Sequence, residues 1–236
     1  MDLRLIRRRR LEIVAASLVL PFIYILAFGY GLGKGVNLDG VSYVAFVVPG
    51  VVALTAMTSS FNGAASKLNV DRIFHKSFDE ILMAPVSHFS IIIGKALIGV
   101  IRGLISSLAV MAVGVVISPT LQFSPFFLLL LLLICFMFSL LGELVALTAR
   151  NHQDLNTFNT FVLLPMTFLS GTFFSLSQIP AILKTALYIL PLTHSSQCLR
   201  ASALGQPLPL VSVFVLLGFA VAFFAGCVFA LRRNSV

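Results

Sequence analysis

Tryptophan is absent from this 236-residue sequence, tyrosine occurs four times, cysteine three times, and acidic residues number eight. Charged residues make up 10% of the chain, against roughly a quarter in soluble domains, which excludes an ordinary water-soluble fold. Cys135, Cys198 and Cys227 show no spacing typical of a metal, redox or disulfide framework, and they read as buried apolar residues. Neither Gly33-Lys34-Gly35 nor Gly94-Lys95-Ala96 is followed by the Ser or Thr of a phosphate loop, so the chain carries no nucleotide-hydrolysing motif of that kind. No G-x-S-x-G elbow is present, and His194-Ser195 reads as the start of a helix rather than part of a triad. His75 and Asp79 supply too few ligands for a metal and read as a solvated surface. Nothing here points to an enzyme or to a bound cofactor, so energy for any work must come from another chain or from an ion gradient.

What is abundant is apolar surface: 59% of the residues, with a mean hydropathy of +1.06. Stretches without Lys, Arg, Asp or Glu run over 13–33, 40–66, 103–142, 155–183 and 201–231. Each reaches the roughly 20 residues that cross a bilayer, and the stretch from 103 to 142 is long enough for two helices, divided at Ser118-Pro119-Thr120 and Ser124-Pro125. The expected fold is therefore an all-α membrane protein, one transmembrane domain over 1–236 with six spans near 12–30, 43–66, 89–117, 125–149, 155–174 and 210–231. The first of these reads as a retained span rather than a cleaved leader. Eleven of the sixteen basic residues, including Arg7 to Arg10, Lys67, Arg72, Arg150, Arg232 and Arg233, fall in segments on one side of this arrangement. By the positive-inside rule that side is the cytoplasm and holds both termini. These residues flank apolar runs with no aromatic platform among them, which argues against a nucleic-acid partner and for lipid headgroups.

Three local features stand out against this background. Ser77 and Glu80 form an S-x-x-E capping box and Pro85 halts the chain, which predicts a two-turn cytoplasmic helix with Phe78, Ile81 and Leu82 projecting. Such a helix is too short to persist without a seat. Between spans five and six, Pro180 suits a first helical position, Ile182, Leu183, Ala186, Leu187 and Leu190 share a face, and Pro191 ends the element. A second short helix over 193–204 would stop at Gly205, predicting a re-entrant hairpin on the outer side. Where it meets the aromatic pair Phe173 and Phe174, an outer gate is expected, with Pro180, Leu187 and Pro191 as its other members. Finally, if Lys95 marks the cytoplasmic edge of span three, Arg102 lies seven residues deeper, and Glu143 lies seven residues before Arg150 on the antiparallel span four. Equal depth predicts an intramembrane ion pair between Arg102 and Glu143, with Lys95 merely snorkelling to the headgroups. Thr58, Ser59, Asn62, Gly63 and Ser66 read as a strip for close helix packing.

The order of motifs along the chain resembles the integral-membrane permeases of type-2 ABC exporters, the group holding nodulation-factor, daunorubicin-resistance and polysaccharide exporters. The resemblance is carried by Val48-Pro49-Gly50, by Phe78-Asp79-Glu80-Ile81-Leu82-Met83-Ala84-Pro85-Val86, by Gly94-Lys95 and Arg102-Gly103, and by the run from Phe168 to Phe174 followed by Pro180, Pro191 and Arg200. It implies a permease in the bacterial inner membrane that dimerises, with itself or a near relative, and rests on a separate ATP-binding subunit holding ATP and magnesium. Ser77, Phe78, Asp79, Glu80, Ile81, Leu82 and Met83 would then be the coupling helix seated on that subunit. The scarcity of Trp and Tyr leans the expected cargo toward an amphipathic, lipid-linked or drug-like molecule. The alternative is a gradient-driven secondary transporter, which usually shows internal repeats and several midplane acids. This chain shows no convincing repeat, and Glu143 is its one intramembrane acid.

Overall fold

The structure, a computed structural model, describes residues 19–27, 37–38, 41–73, 86–175 and 180–234. The expected coupling residues Ser77 to Met83 lie outside the described residues, as do both ends of the first span, of which 19–27 are helical. A two-residue antiparallel pair, β1 (Asn37–Leu38) and β2 (Val41–Ser42), leads into α1 (Tyr43–Ile73). There follow α2 (His88–Ile117), α3 (Pro125–Thr148), α4 (His152–Phe158), a π-helical turn (Asn159–Leu163), α5 (Leu164–Leu169), α6 (Ala181–Leu187), α7 (Pro191–Ala203) and α8 (Leu210–Asn234).

Local chemistry explains most of these boundaries. Ser87 and Ser124 have extended backbone and accept hydrogen bonds from the Ser90 and Phe127 amides, both at 3.2 Å, capping α2 and α3, and Pro125 occupies the first turn of α3 where no donor is needed. Asn151 caps α4 by accepting from the Asp154 amide at 2.9 Å. This cap starts the helix at His152, three residues before the expected fifth span. Pro165 has no amide and its ring crowds the preceding turn; the helix widens there, and the Leu164 amide reaches back to the Asn159 carbonyl. The rod over 152–169 therefore stays unbroken for 18 residues. It stops at Ser170, short of the expected end at 174, because Gly171 turns the chain with φ 68°. Gly205, at φ 64°, likewise ends the hairpin's second helix where expected. That helix begins at Pro191, so this proline opens α7 as well as closing the element before it.

Four helices, α1, α2, α3 and α8, are long and apolar enough to cross a membrane. Of these α1 is the axis of the bundle: 83% of its most apolar stretch is buried, against 22% for α8. It packs along α2 and α3 for most of their lengths and against α7 near its N-terminal end, while α8 leans on α3 and α7. It also runs to Ile73, seven residues past the expected boundary at 66. The extra turns are held by a Lys67–Asp71 ion pair at 2.7 Å along the helix and by Arg72, whose Nη1 donates to the carbonyls of Ala146, Leu147 and Ala149 at 2.8 to 3.0 Å. Those are carbonyls that the C-terminus of α3 leaves without helical donors, so one guanidinium closes α3 and prolongs α1.

Glycines set how near the three central helices come. A Cβ at Gly103 would strike the Ser60 hydroxyl and lie 3.0 Å from Cys135 Sγ, and one at Gly99 would strike the Ser139 hydroxyl and lie 2.6 Å from the Ser60 carbonyl. At Gly142 it would lie 2.5 Å from the Phe61 carbonyl and 3.1 Å from the Phe61 Cα. Backbone at this distance cannot give way. Gly142→Ala should therefore destabilise the folded protein by about 1–3 kcal/mol, the usual cost of overpacking. Gly94→Ala, with nothing within 4 Å, should leave the melting temperature in detergent unchanged or slightly raised.

Candidate functional site

The helix over 152–169 has an unusual exposed face. His152, Gln153, Asn156, Thr157 and Thr160, with Phe161, line an open hollow of about 570 Å³. Beyond it the exposed residues become apolar: Phe161, Val162, Leu164, Phe168 and Leu169. The Thr157 and Thr160 hydroxyls donate to the Gln153 and Asn156 carbonyls of their own helix, which mutes their polarity, while the amides of Gln153 and Asn156 stay exposed. Amide contacts tie this face to α1: Asn159 Nδ2 donates to Asn62 Oδ1 at 3.2 Å, Asn62 Nδ2 donates to the Thr58 carbonyl at 2.8 Å, and His152 Nδ1 lies 3.3 Å from Asn69 Oδ1. Phe61 and Phe158 stack beneath them with ring centroids 5.5 Å apart. Thr58, Ser59, Asn62 and Ser66 are half-buried along this junction, so the strip expected to serve close packing also forms part of an uncharged polar surface. Sequence reasoning missed the contribution of 152–160. Its signal was present, in the polar residues crowding the first half of an expected span.

At the end of the bundle carrying Lys67, Arg72, Lys95 and Arg150, charges meet in an arrangement other than the expected one. The ion pairs among the described residues are Lys67–Asp71 and Lys95–Asp71, each at 2.7 Å. Arg102 and Glu143 are not paired. Arg102 is exposed, its aliphatic stem lying over Gly63, and Glu143 is 1% exposed with Oε1 lacking any hydrogen-bond partner. The packing register gives the reason. Gly103 faces Cys135, and four residues along each helix Gly99 faces Ser139, whose hydroxyl donates to the Ala96 carbonyl at 2.6 Å. One further step sets Lys95 opposite Glu143, leaving Arg102 about 10 Å deeper along α2. The expectation failed because Lys95 was taken as level with Arg150, whereas the register sets it level with Glu143, two turns inside a helix whose start at His88 agrees with the expected 89. Lys95 accordingly bridges α2 to α1 through Asp71 rather than snorkelling.

At the opposite end, three motifs far apart in sequence converge. Arg200 of α7 donates from Nε to the Phe46 carbonyl at 3.1 Å and from Nη2 to the Gly171 carbonyl at 3.0 Å, and its guanidinium lies 3.6 Å above the Phe46 ring. A Cβ at Gly50 would lie 2.9 Å from the Thr172 carbonyl, so the segment after Ser170 rests directly on α1. The Tyr43 hydroxyl donates to the Phe173 carbonyl at 2.8 Å, and the Phe173 ring meets Tyr24 edge-on at 5.3 Å. Of the expected gate residues, Phe173, Leu187 and Pro191 are buried, Phe174 is half-buried and Pro180 is exposed. The turn between α6 and α7 is closed by Thr193, which donates to the Leu187 carbonyl, and by His194, whose ring nitrogens lie 2.8 Å from the Tyr188 carbonyl and 3.0 Å from the Ser212 hydroxyl. His194 and Ser195 thus sit in the first turn of a helix, and the Ser195 hydroxyl donates to the Pro191 carbonyl. All three cysteines are free and buried. Among the described residues no group of three or more His, Cys, Asp or Glu could hold a metal.

Arg200 holds two carbonyls and a ring face with one planar group, a geometry that an ammonium cannot reproduce. Arg200→Lys should lower stability by about 1–3 kcal/mol, read as an earlier thermal transition in detergent. It should also expose Cys198 to thiol reagents faster than in the parent chain, since α7 loses its tie to α1.

Comparison with known proteins agrees with this architecture. The model of the family described as ABC-2 type transporter matches residues 2–204. The inner membrane transport permease YadH of Escherichia coli (strain K12) is 33% identical over 234 residues, which cover 96% of this chain and 91% of that protein. Nodulation protein J of Rhizobium meliloti (strain 1021) is 32% identical over 208 residues, covering 86% of this chain and 78% of its own length. Nodulation protein J of Rhizobium leguminosarum bv. viciae is 28% identical over 215 residues, covering 89% and 82%. With a family match over most of its length and four membrane-length apolar helices around a common axis, the chain belongs to the ABC-2 type transporter family.

Proposed function

We propose that the chain is the transmembrane permease subunit of an ATP-driven exporter in the bacterial inner membrane, and that it moves an amphipathic molecule outward between two permease chains. The observation that carries this reading is the two-toned face of the helix over 152–169: neutral amides and hydroxyls exposed along its first half, apolar side chains along its second. In a bilayer, polar side chains are tolerated where they line a wet cavity or meet another protein surface. A second copy placed across this face would enclose a path whose inner part offers neutral hydrogen-bonding groups to a headgroup and whose outer part suits an acyl or ring system. The location follows the printed name of the inner-membrane relative, and the separate ATPase follows from family membership. Family membership also weighs against the gradient-driven alternative.

In this reading the chain crosses the membrane six times, with 19–27 inside the first span, 152–169 the core of the fifth, and both termini cytoplasmic. The residues Ser77 to Met83 form the coupling helix in a groove of the ATP-binding subunit, directly after the turn of α1 that Asp71 and Arg72 hold. The hairpin of α6 and α7 re-enters from the outer face, and with Phe173, Phe174, Pro180, Leu187 and Pro191 it closes the outer end of the path. Its anchorage through Arg200 and Tyr43 would transmit movement of α1 to this closure.

Co-purification with a candidate ABC ATP-binding subunit, followed by a screen for compounds that stimulate hydrolysis, tests the function as a whole. Within that complex, Ile81→Asp should abolish stimulated hydrolysis and transport while leaving the melting temperature of the permease alone within 1–2 °C, because the charge falls on the seat and not on the bundle. Full-rate transport by this variant would remove Ser77 to Met83 from the interface. Cysteines at Phe174 and at Leu187 should react with an impermeant outside thiol reagent at different rates with and without trapped nucleotide. Equal rates would make the hairpin a static plug.

A further inference from the structure

The basic end of the bundle holds an uneven division of charge. Two lysines, Lys67 and Lys95, both bind the Asp71 carboxylate, one on each oxygen at 2.7 Å, while Glu143, more deeply buried at 1% exposure, has an oxygen with no partner at all. Lys67 and Lys95 thus both sit on Asp71, and neither sits on Glu143. The register of α2 on α3 sets Lys95 opposite Glu143, at the same level of the bundle. On its other flank lies α8, whose Cys227 thiol donates to the Leu140 carbonyl one turn before Glu143. Among the described residues no ion pair joins Glu143 to a cation. We propose that Lys95 exchanges partners during the transport cycle, bound to Asp71 of α1 in the conformation seen here and to Glu143 of α3 in the alternate one.

The exchange conserves pairing. When Lys95 leaves, Asp71 keeps Lys67, four residues back on its own helix, and Glu143 gains the partner it lacks. A buried acceptor left unmatched is costly, and so is a buried charge whose partner is removed, so each state offers a compensation that intermediate positions do not. Lysine suits this role: its ammonium is a compact point charge on a flexible four-carbon stem, able to swing between two carboxylates with a modest slide of α2. Because Asp71 and Arg72 occupy the last turn of α1 before the proposed coupling segment, displacement of that segment would act directly on the grip that holds Lys95. Lys95, Asp71 and Glu143 are thus positioning residues that select between two arrangements of α1, α2 and α3.

The inference rests on the permease reading, and the experiment separates the two. The permease is reconstituted with its ATPase in lipid nanodiscs, and structures are determined without nucleotide and with nucleotide trapped. The distance from Lys95 Nζ to the Glu143 carboxylate should fall below 4 Å in the trapped state while that to Asp71 rises beyond it. Glu143→Gln should melt at or above the parent protein in the nucleotide-free state, since an orphaned carboxylate is gone, yet lower nucleotide-driven transport about tenfold, a typical loss of coupling between states. Asp71→Asn should do the reverse in structure, populating the Glu143-bound arrangement without nucleotide. Lys95 remaining on Asp71 in both states, or parental transport by Glu143→Gln, would overturn the exchange while leaving the permease assignment intact. A parent complex showing no nucleotide-dependent response of any kind would overturn the permease assignment, and the exchange with it.

Discussion

Close approach of α1, α2 and α3 is the constraint on which the rest of the molecule depends. At Gly99, Gly103 and Gly142 the absence of a side chain lets backbone meet backbone or a small hydroxyl, and no bulkier residue fits without separating the helices. Apolar matching gives little preference for one contact between helices over another where the surroundings are equally apolar, so such steric seats define register. From that register follow the pairing of Lys95 with Asp71, the placement of Glu143 at the level of Lys95, and the outward turn of Arg102. The same seats carry α1 through the middle of the bundle, where it touches the elements at both ends.

The two ends are then closed by the same device, a guanidinium of one helix holding backbone carbonyl oxygens of another segment. Arg72 serves the end of α3, and Arg200 serves the turn at Gly171 together with the carbonyl of Phe46, one turn ahead of Pro49-Gly50. Each cation binds dipoles from distant segments, so each makes the position of one helix a condition for the closure of another. A movement of α1 can therefore be felt at both ends. This suits the proposed exporter, in which events at a nucleotide-binding partner would have to reach an exit on the far side.

Between these ends the helix over 152–169 bears two surfaces in sequence, and its π turn lies near the boundary between them. Pro165 causes the widening, and the widening keeps the rod continuous despite the missing hydrogen bond. The polar half is joined to α1 by amides rather than by charges, so its face stays neutral and hydrogen-bonding. A neutral face of this kind discriminates by the count and placement of hydrogen bonds rather than by charge.

Helix-forming apolar runs, the stop at Gly205 and the prolines at 180 and 191 act over a few residues, which is why the sequence alone located the membrane-length helices, the break at 118–125 and the short pair between 181 and 203. The neutral strip on α1 was visible as composition, whereas its extension by Gln153 and Asn156 was missed, although Asn156, Thr157, Asn159 and Thr160 stood as polar residues at the start of an apolar run. What the sequence could not determine was the relative register of helices and the faces they turn to one another. Depth counted from Lys95 placed Arg102 beside Glu143, and two turns of misjudged depth for Lys95 were enough to exchange the partner. The tertiary structure alone decided that Lys95 reaches Asp71, that Glu143 stays unmatched, and that Gly50, Phe173 and Arg200 meet. Those outcomes rest on contacts between residues dozens to more than a hundred positions apart, where steric fit and the pairing of buried polar groups outweigh anything a local pattern encodes.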